Sequence, residues 1–179
     1  MKNLLQTLLT FTTLTTGIIY ADANLEVQIN QSNENGNPLF LTFHMTNNSE
    51  EVIKVFKSSI PFEGEVGKNL FDIRNNNHEL NYIGRLIERR HDVNENNFLY
   101  LDAGESYETT VNLETLYQFS RQTREYDITF NSSIYVAYNN GEKAYLSIDS
   151  NHLDIEASLT RPVTRKREQS YERSCNIIA

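Results

Sequence analysis

Four histidines, one cysteine and 24 acidic side chains are the groups on which this 179-residue sequence could build catalysis. Zinc hydrolysis would use two imidazoles one helical turn apart with a glutamate base between them, as in His-Glu-x-x-His. His78-Glu79 begins that pattern, but position 82 is Tyr. His44, His78, His91 and His152 share no short metal-ligand spacing and read as loop or solvent-face residues. A serine nucleophile calls for a Gly-x-Ser-x-Gly elbow, which the sequence lacks. Cys175 stands four residues from the last residue in a polar segment, with nothing nearby to hold its thiol beside a base. No Gly-rich phosphate loop and no calcium loop of spaced Asp and Asn is present, and pairs such as Glu50-Glu51 read as solvated turn charge. The expectation is a chain with no catalytic residue, no metal ligand and no cofactor. Groups that meet only in the folded chain stay open, and two His beside a carboxylate would reveal them.

The elements that would carry a site are bounded by composition. At 20.7 kDa the chain has room for one domain. Ten Tyr and nine Phe supply buriable surface that a disordered acidic chain would lack. The net charge is −8, and no basic face suits nucleic acid. Lys2 precedes an apolar, Thr-rich stretch that ends in Ala21-Asp22-Ala23, so residues 1–23 read as a signal peptide cleaved after Ala23. The expected product is secreted or periplasmic, with no stable membrane insertion once the signal is removed. Between residues 161 and 173, five bases face two acids; that local +3 leaves −11 for residues 24–160. Arg161-Pro162 therefore divides an acidic domain, 24–160, from a basic, flexible tail, 161–179.

Inside the domain the apolar period is two. Leu25, Val27 and Ile29 alternate with polar residues, as a half-buried strand requires. Residues 39–45, 52–56, 70–73, 98–101, 107–111, 126–130, 134–138, 144–148 and 153–159 are further short β-branched or aromatic runs. Turn signals separate them, including Asn75-Asn76-Asn77, Ala103-Gly104-Glu105 and Asn139-Asn140-Gly141. The spacing predicts an all-β antiparallel sandwich with one helical interruption over 113–119, where Leu113, Leu116 and Tyr117 fall at i, i+3 and i+4. Asn30, Asn47 and Asn131 each precede Ser by two positions and are glycosylation acceptors if the cell glycosylates.

A series of local patterns in the middle of the chain goes further. Leu41-Thr42-Phe43-His44-Met45-Thr46-Asn47 is followed by Ile60-Pro61-Phe62-Glu63-Gly64, Leu70-Phe71-Asp72-Ile73 and Tyr82-Ile83-Gly84-Arg85-Leu86-Ile87-Glu88-Arg89-Arg90. Leu101-Asp102-Ala103-Gly104-Glu105-Ser106, Val111-Asn112-Leu113 with Tyr117, and Tyr126-Asp127-Ile128-Thr129-Phe130 complete it. In order and spacing this set resembles the N-terminal prodomain of secreted deuterolysin-type zinc endopeptidases, the aspzincins, which include the peptidyl-Lys metalloendopeptidases.

The resemblance implies an immunoglobulin-like sandwich that keeps a zinc metalloendopeptidase catalytic domain latent, in cis or in trans, and assists its folding. It also implies that Arg165, Lys166 and Arg167 form a processing site, and that Cys175 pairs with a cysteine of a catalytic domain missing from this sequence. A mixed disulfide or a disulfide-linked dimer is the other role open to that thiol. The family's zinc-binding motif has no counterpart here, so the resemblance makes the parent a protease and this chain its non-catalytic part. The segments to contact the enzyme are the turn at 60–68 and the stretch 85–97, with Phe62 filling a pocket and Arg85, Arg89 and Arg90 meeting a subsite that accepts bases. Core packing for Phe62 and a solvated charge run for the arginines are the plainer roles. A free-standing secreted or periplasmic immunoglobulin-like binding or adhesion module is the alternative function.

Overall fold

The computed structural model describes residues 24–32, 36–87 and 94–159. The expected signal peptide, the basic tail with Arg165, Lys166, Arg167 and Cys175, and Arg89 and Arg90 lie outside them. The described chain forms ten strands: β1 (Leu25–Gln31), β2 (Phe40–Asn47), β3 (Ile53–Phe56), β4 (Phe71–Asn75), β5 (His78–Glu79), β6 (Phe98–Leu101), β7 (Ser106–Asn112), β8 (Arg124–Tyr138), β9 (Lys143–Asp149) and β10 (Leu153–Ala157). Every pairing is antiparallel. No helix among the described residues is long and apolar enough to cross a membrane.

Alternation dictates which face each strand buries. Leu25, Val27 and Ile29 on β1 and Leu41, Phe43 and Met45 on β2 point inward, and their neighbours point out. These strands and β7 form one sheet, ordered β1-β2-β7. The second sheet, β5-β4-β8-β3-β6, carries β9 and β10 on β8 as well. The sheets meet at Phe43 and Phe130, whose ring centroids are 5.2 Å apart, with Phe71 edge-on to Phe130 at 5.8 Å. Each such side chain taken from water contributes about 1.5–3 kcal/mol, and these residues belong to one continuous core spanning both sheets.

β8 is the spine of the second sheet. Its first half pairs with β4 on one side and β10 on the other, and its second half pairs with β3 and β9. The runs at 126–130 and 134–138, read as separate, are one strand of 15 residues. Asn131, Ser132 and Ser133 stay in the ladder opposite Asp149, Ile148 and Ser147.

The helical interruption expected over 113–119 is reduced to a single 3₁₀ turn at Leu113–Thr115, capped by the Asn112 side chain on the Glu114 N–H. Leu113 and Tyr117 do face the core, as their spacing requires. The turn stops because the next backbone groups are taken: the Leu116 carbonyl accepts from the Ile83 and Gly84 N–H groups, and the Gln118 N–H donates to the Asn81 carbonyl.

Asn47 ends β2 fully buried. Its side-chain nitrogen donates toward the Glu51, Leu101 and Asp102 carbonyls at 2.8, 3.0 and 3.1 Å, and its oxygen accepts from the Ser49 N–H and hydroxyl. One amide thus joins the β2–β3 turn to the β6–β7 turn. The nitrogen a glycan would need at Asn47 is enclosed, whereas Asn30 and Asn131 are exposed.

Candidate functional site

Among the described residues, no three His, Cys, Asp or Glu side chains converge to hold a metal ion. His44 lies on β2, His78 on β5, and His152 just before β10, where its Nδ1 is 2.9 Å from an Asp127 carboxylate oxygen. What the fold does assemble is a strap, residues 82–87, tied by backbone hydrogen bonds to Leu116 at one end and Gly67 at the other.

Three residues of the strap turn backbone N–H groups toward the body. The Ile83 and Gly84 N–H groups donate to the Leu116 carbonyl at 2.8 and 3.2 Å, and the Ile87 N–H donates to the Gly67 carbonyl at 2.8 Å. The Tyr82 hydroxyl lies 3.2 Å from both the Val66 and the Arg85 carbonyl oxygens and shares its single proton between them. Its ring packs edge-on against Tyr117, centroids 5.3 Å apart, and folds back over Gly84. A Cβ at position 84 would come within 2.5–2.9 Å of that ring and its hydroxyl, so glycine is required there. Burial raises the Tyr82 hydroxyl above the ordinary tyrosine range, which keeps it a donor.

With the backbone turned in, side chains are what the strap offers. Ile83 is 58% exposed and Leu86 72%, with Arg85 exposed between them. Large aliphatic side chains this open are the exception among the described residues, thirty of which are buried hydrophobics.

Beside the strap stands the turn expected at 60–68. Phe62 and Glu65 exchange both backbone hydrogen bonds around Glu63 and Gly64, which have φ of 53° and 78°. That is a two-residue hairpin with positive φ at both central positions. Glu63 is held in this uncommon conformation by its N–H, which donates to the Tyr107 hydroxyl at 2.8 Å. Phe62 is half-buried, stacked on the Tyr107 ring at 5.8 Å and 9°, with the Lys57 ammonium 4.6 Å from its own centroid. Phe62 is therefore a clamped wall rather than a projecting knob. Between this turn, Ile60, Ile87 and Asn96-Asn97 lies a cleft of about 290 Å³.

Of the two segments singled out in the sequence, 60–68 and 85–97, the described residues Ile60, Phe62, Glu63, Glu65 and Gly67 and Ile87, Asn96 and Asn97 line one cleft, and the Ile87–Gly67 hydrogen bond joins them. Of the candidate contact residues, Phe62 lies in the cleft wall and Arg85 on the adjoining strap. Sequence reasoning did not single out Ile83 or Leu86. The signal the sequence does carry there, Ile83, Leu86 and Ile87 at i, i+3 and i+4, is the spacing of a buried helical face, and no helix forms over 82–87. No protein-family model matches the chain, and no curated protein matches its sequence.

Proposed function

We propose that this chain is a non-catalytic inhibitory module of the prodomain kind, which keeps a secreted zinc metalloendopeptidase latent and assists its folding. The observation that carries the reading is the strap: Ile83 and Leu86, 58% and 72% exposed, project beside Arg85 from a backbone already fixed by hydrogen bonds. A segment ordered before docking loses little conformational entropy on binding. Enclosing the two aliphatics in a partner would contribute roughly 1.5–3 kcal/mol each. In this reading the product begins after Ala23, Arg165-Lys166-Arg167 is the processing site, and Cys175 pairs within the catalytic domain.

We infer further that the sandwich is immunoglobulin-like. The orders β1-β2-β7 and β6-β3-β8-β9 follow strands A-B-E and C′-C-F-G of that frame. Tyr126, near the start of β8, supports this too: its hydroxyl accepts from the Ser120 N–H at 3.1 Å, as the tyrosine at the corner before strand F does in such domains.

The test is titration of the full chain into a deuterolysin-type peptidyl-Lys endopeptidase. Stoichiometric loss of peptidase activity is expected; full activity under a large molar excess of the chain rejects the reading. The second reading, a free-standing binding module, draws on a row of rings in a second, smaller cluster, where Phe56 and Phe98 are buried and Tyr135 packs against them. Phe98, Phe56, Tyr135 and Tyr145 follow one another across β6, β3, β8 and β9 at 5.5, 5.8 and 4.9 Å, and Tyr145 is 64% exposed. Glycan-array binding that Tyr145→Ala abolishes would favour it.

A further inference from the structure

Resting on the inhibitory reading, we propose that the strap is a side-chain docking surface and not a substrate mimic. Its partner is a protein face bearing an apolar depression edged by carboxylates, which receives Ile83 and Leu86 with Arg85 between them, and the Arg85–Leu86 bond stays uncut in the complex.

The direction of the backbone carries this. A protease binds a peptide as an added strand, through main-chain N–H and C=O groups that the peptide must present outward. The scissile carbonyl must also reach the group that polarises it, within about 3 Å of its donors. Here the N–H groups of Ile83, Gly84 and Ile87 donate into the body, and the Arg85 carbonyl faces the Tyr82 hydroxyl. The carbonyl of the bond that an arginine-directed enzyme would seek is thus already engaged by the Tyr82 hydroxyl, whose ring is packed over Gly84. What remains to be read is the outward pair of aliphatics and one guanidinium.

Charge names the kind of face that fits. Residues 24–160 carry −11, yet the charged side chain on the described strap is that of Arg85. A basic partner would be drawn to almost any other part of this domain. A carboxylate-bearing partner is drawn to this one, and a guanidinium matches a carboxylate in two-point geometry.

Two readouts test the proposal. The folded full chain is digested briefly with trypsin, and cleavage after Arg85 is followed by mass spectrometry in wild type, Gly84→Ala and Tyr82→Phe. Wild type should be cut there at least about a hundredfold more slowly than the urea-unfolded chain, and both variants faster than wild type. Cutting of folded wild type at the unfolded rate overturns the proposal. Next, Ile83→Asp and Leu86→Asp are titrated into the peptidyl-Lys endopeptidase: each should inhibit about tenfold less well or worse, with an unchanged Tm. Inhibition equal to wild type by both aspartate variants also overturns it. If wild type itself does not inhibit, the inhibitory reading fails and this partner falls with it, while the trypsin map still decides whether the strap is cleavable.

Discussion

The carboxamide of Asn151 meets the main chain of Ile29 twice: its oxygen accepts from the Ile29 N–H at 2.8 Å and its nitrogen donates to the Ile29 carbonyl at 2.9 Å. The β8 register makes this contact possible. Asn131 opposes Asp149 and Ile128 opposes Leu153, so residues 150–152 hold one residue more than the β8 segment they face. That extra residue bulges and aims Asn151 at β1 in the other sheet. A side chain thereby imitates a neighbouring strand at the outer edge of β1. Asn151→Asp keeps one bond, loses the other and sets a carboxylate against a carbonyl. It should lower stability by about 1–3 kcal/mol, read as a fall of several degrees in Tm; an unaltered melting curve would refute the clasp.

Asn47→Asp should cost more than Asn151→Asp, roughly 3 kcal/mol or above, because it places a fully buried carboxylate against three carbonyls. The same enclosure sorts the three acceptor sequences. Produced in a glycosylating host, the folded protein should carry glycan at Asn30 and Asn131 but none at Asn47, and a folded species with glycan on Asn47 would contradict this arrangement.

Tyr117 gives the domain an alkaline limit. Its hydroxyl is 2.6 Å from the Asn69 side-chain oxygen and accepts from the Phe71 N–H at 3.1 Å, and burial raises it far above the ordinary tyrosine range. Below about pH 10 the proton is held in both the folded and the unfolded chain, and stability does not depend on it. Above that, only the unfolded chain releases it, so stability falls by about 1.4 kcal/mol per pH unit. Urea unfolding of wild type and Tyr117→Phe between pH 8 and 11.5 should differ in slope by that one proton; parallel curves would mean the hydroxyl is not buried.

Arg85→Glu, and the double reversal of Arg89 and Arg90 to Glu, should each weaken inhibition of the endopeptidase about three- to tenfold, mainly in the association rate, and the loss should shrink at high salt. For Arg85→Glu the Tm should stay within a degree or so of wild type, since that exposed charge contributes little to folding. Undiminished association rates would remove these arginines from the docking surface.

Phe62→Ala should act on stability first. The ring fills the space between Tyr107 and Lys57, and its loss should cost about 2 kcal/mol and loosen the turn at Glu63-Gly64. Differential scanning calorimetry with unchanged Tm would return Phe62 to the role of a free contact residue.

The strands were legible in the sequence wherever alternation is local. Residues 98–101 form β6 as expected, and Asn139-Asn140-Gly141 makes the β8–β9 turn with Gly141 at φ 86°. β5 was not legible, because His78-Glu79 has no apolar residue to mark it. The length of β8 was hidden for a related reason: Asn131, Ser132 and Ser133 look like a break until β9 supplies partners for them. The candidate site was legible as two segments but not as a surface. In sequence, Ile83 and Leu86 are indistinguishable from core residues. Their exposure follows from hydrogen bonds to Leu116 and Gly67, which are distant in the chain.

The position of β8 also sets an order of events during synthesis. Once residue 112 has emerged, β1, β2 and β7 can close their sheet and β3 can pair with β6 and β4 with β5, but these two short pairs must wait for the strand at 124–138 that joins them. Until then β3 and β4 each keep one edge unpaired, and the nascent chain is open to wrong strand partners. Late arrival of one strand makes the second half of the sandwich slow to fold and cooperative, because nearly all of its long-range pairings form when β8 does.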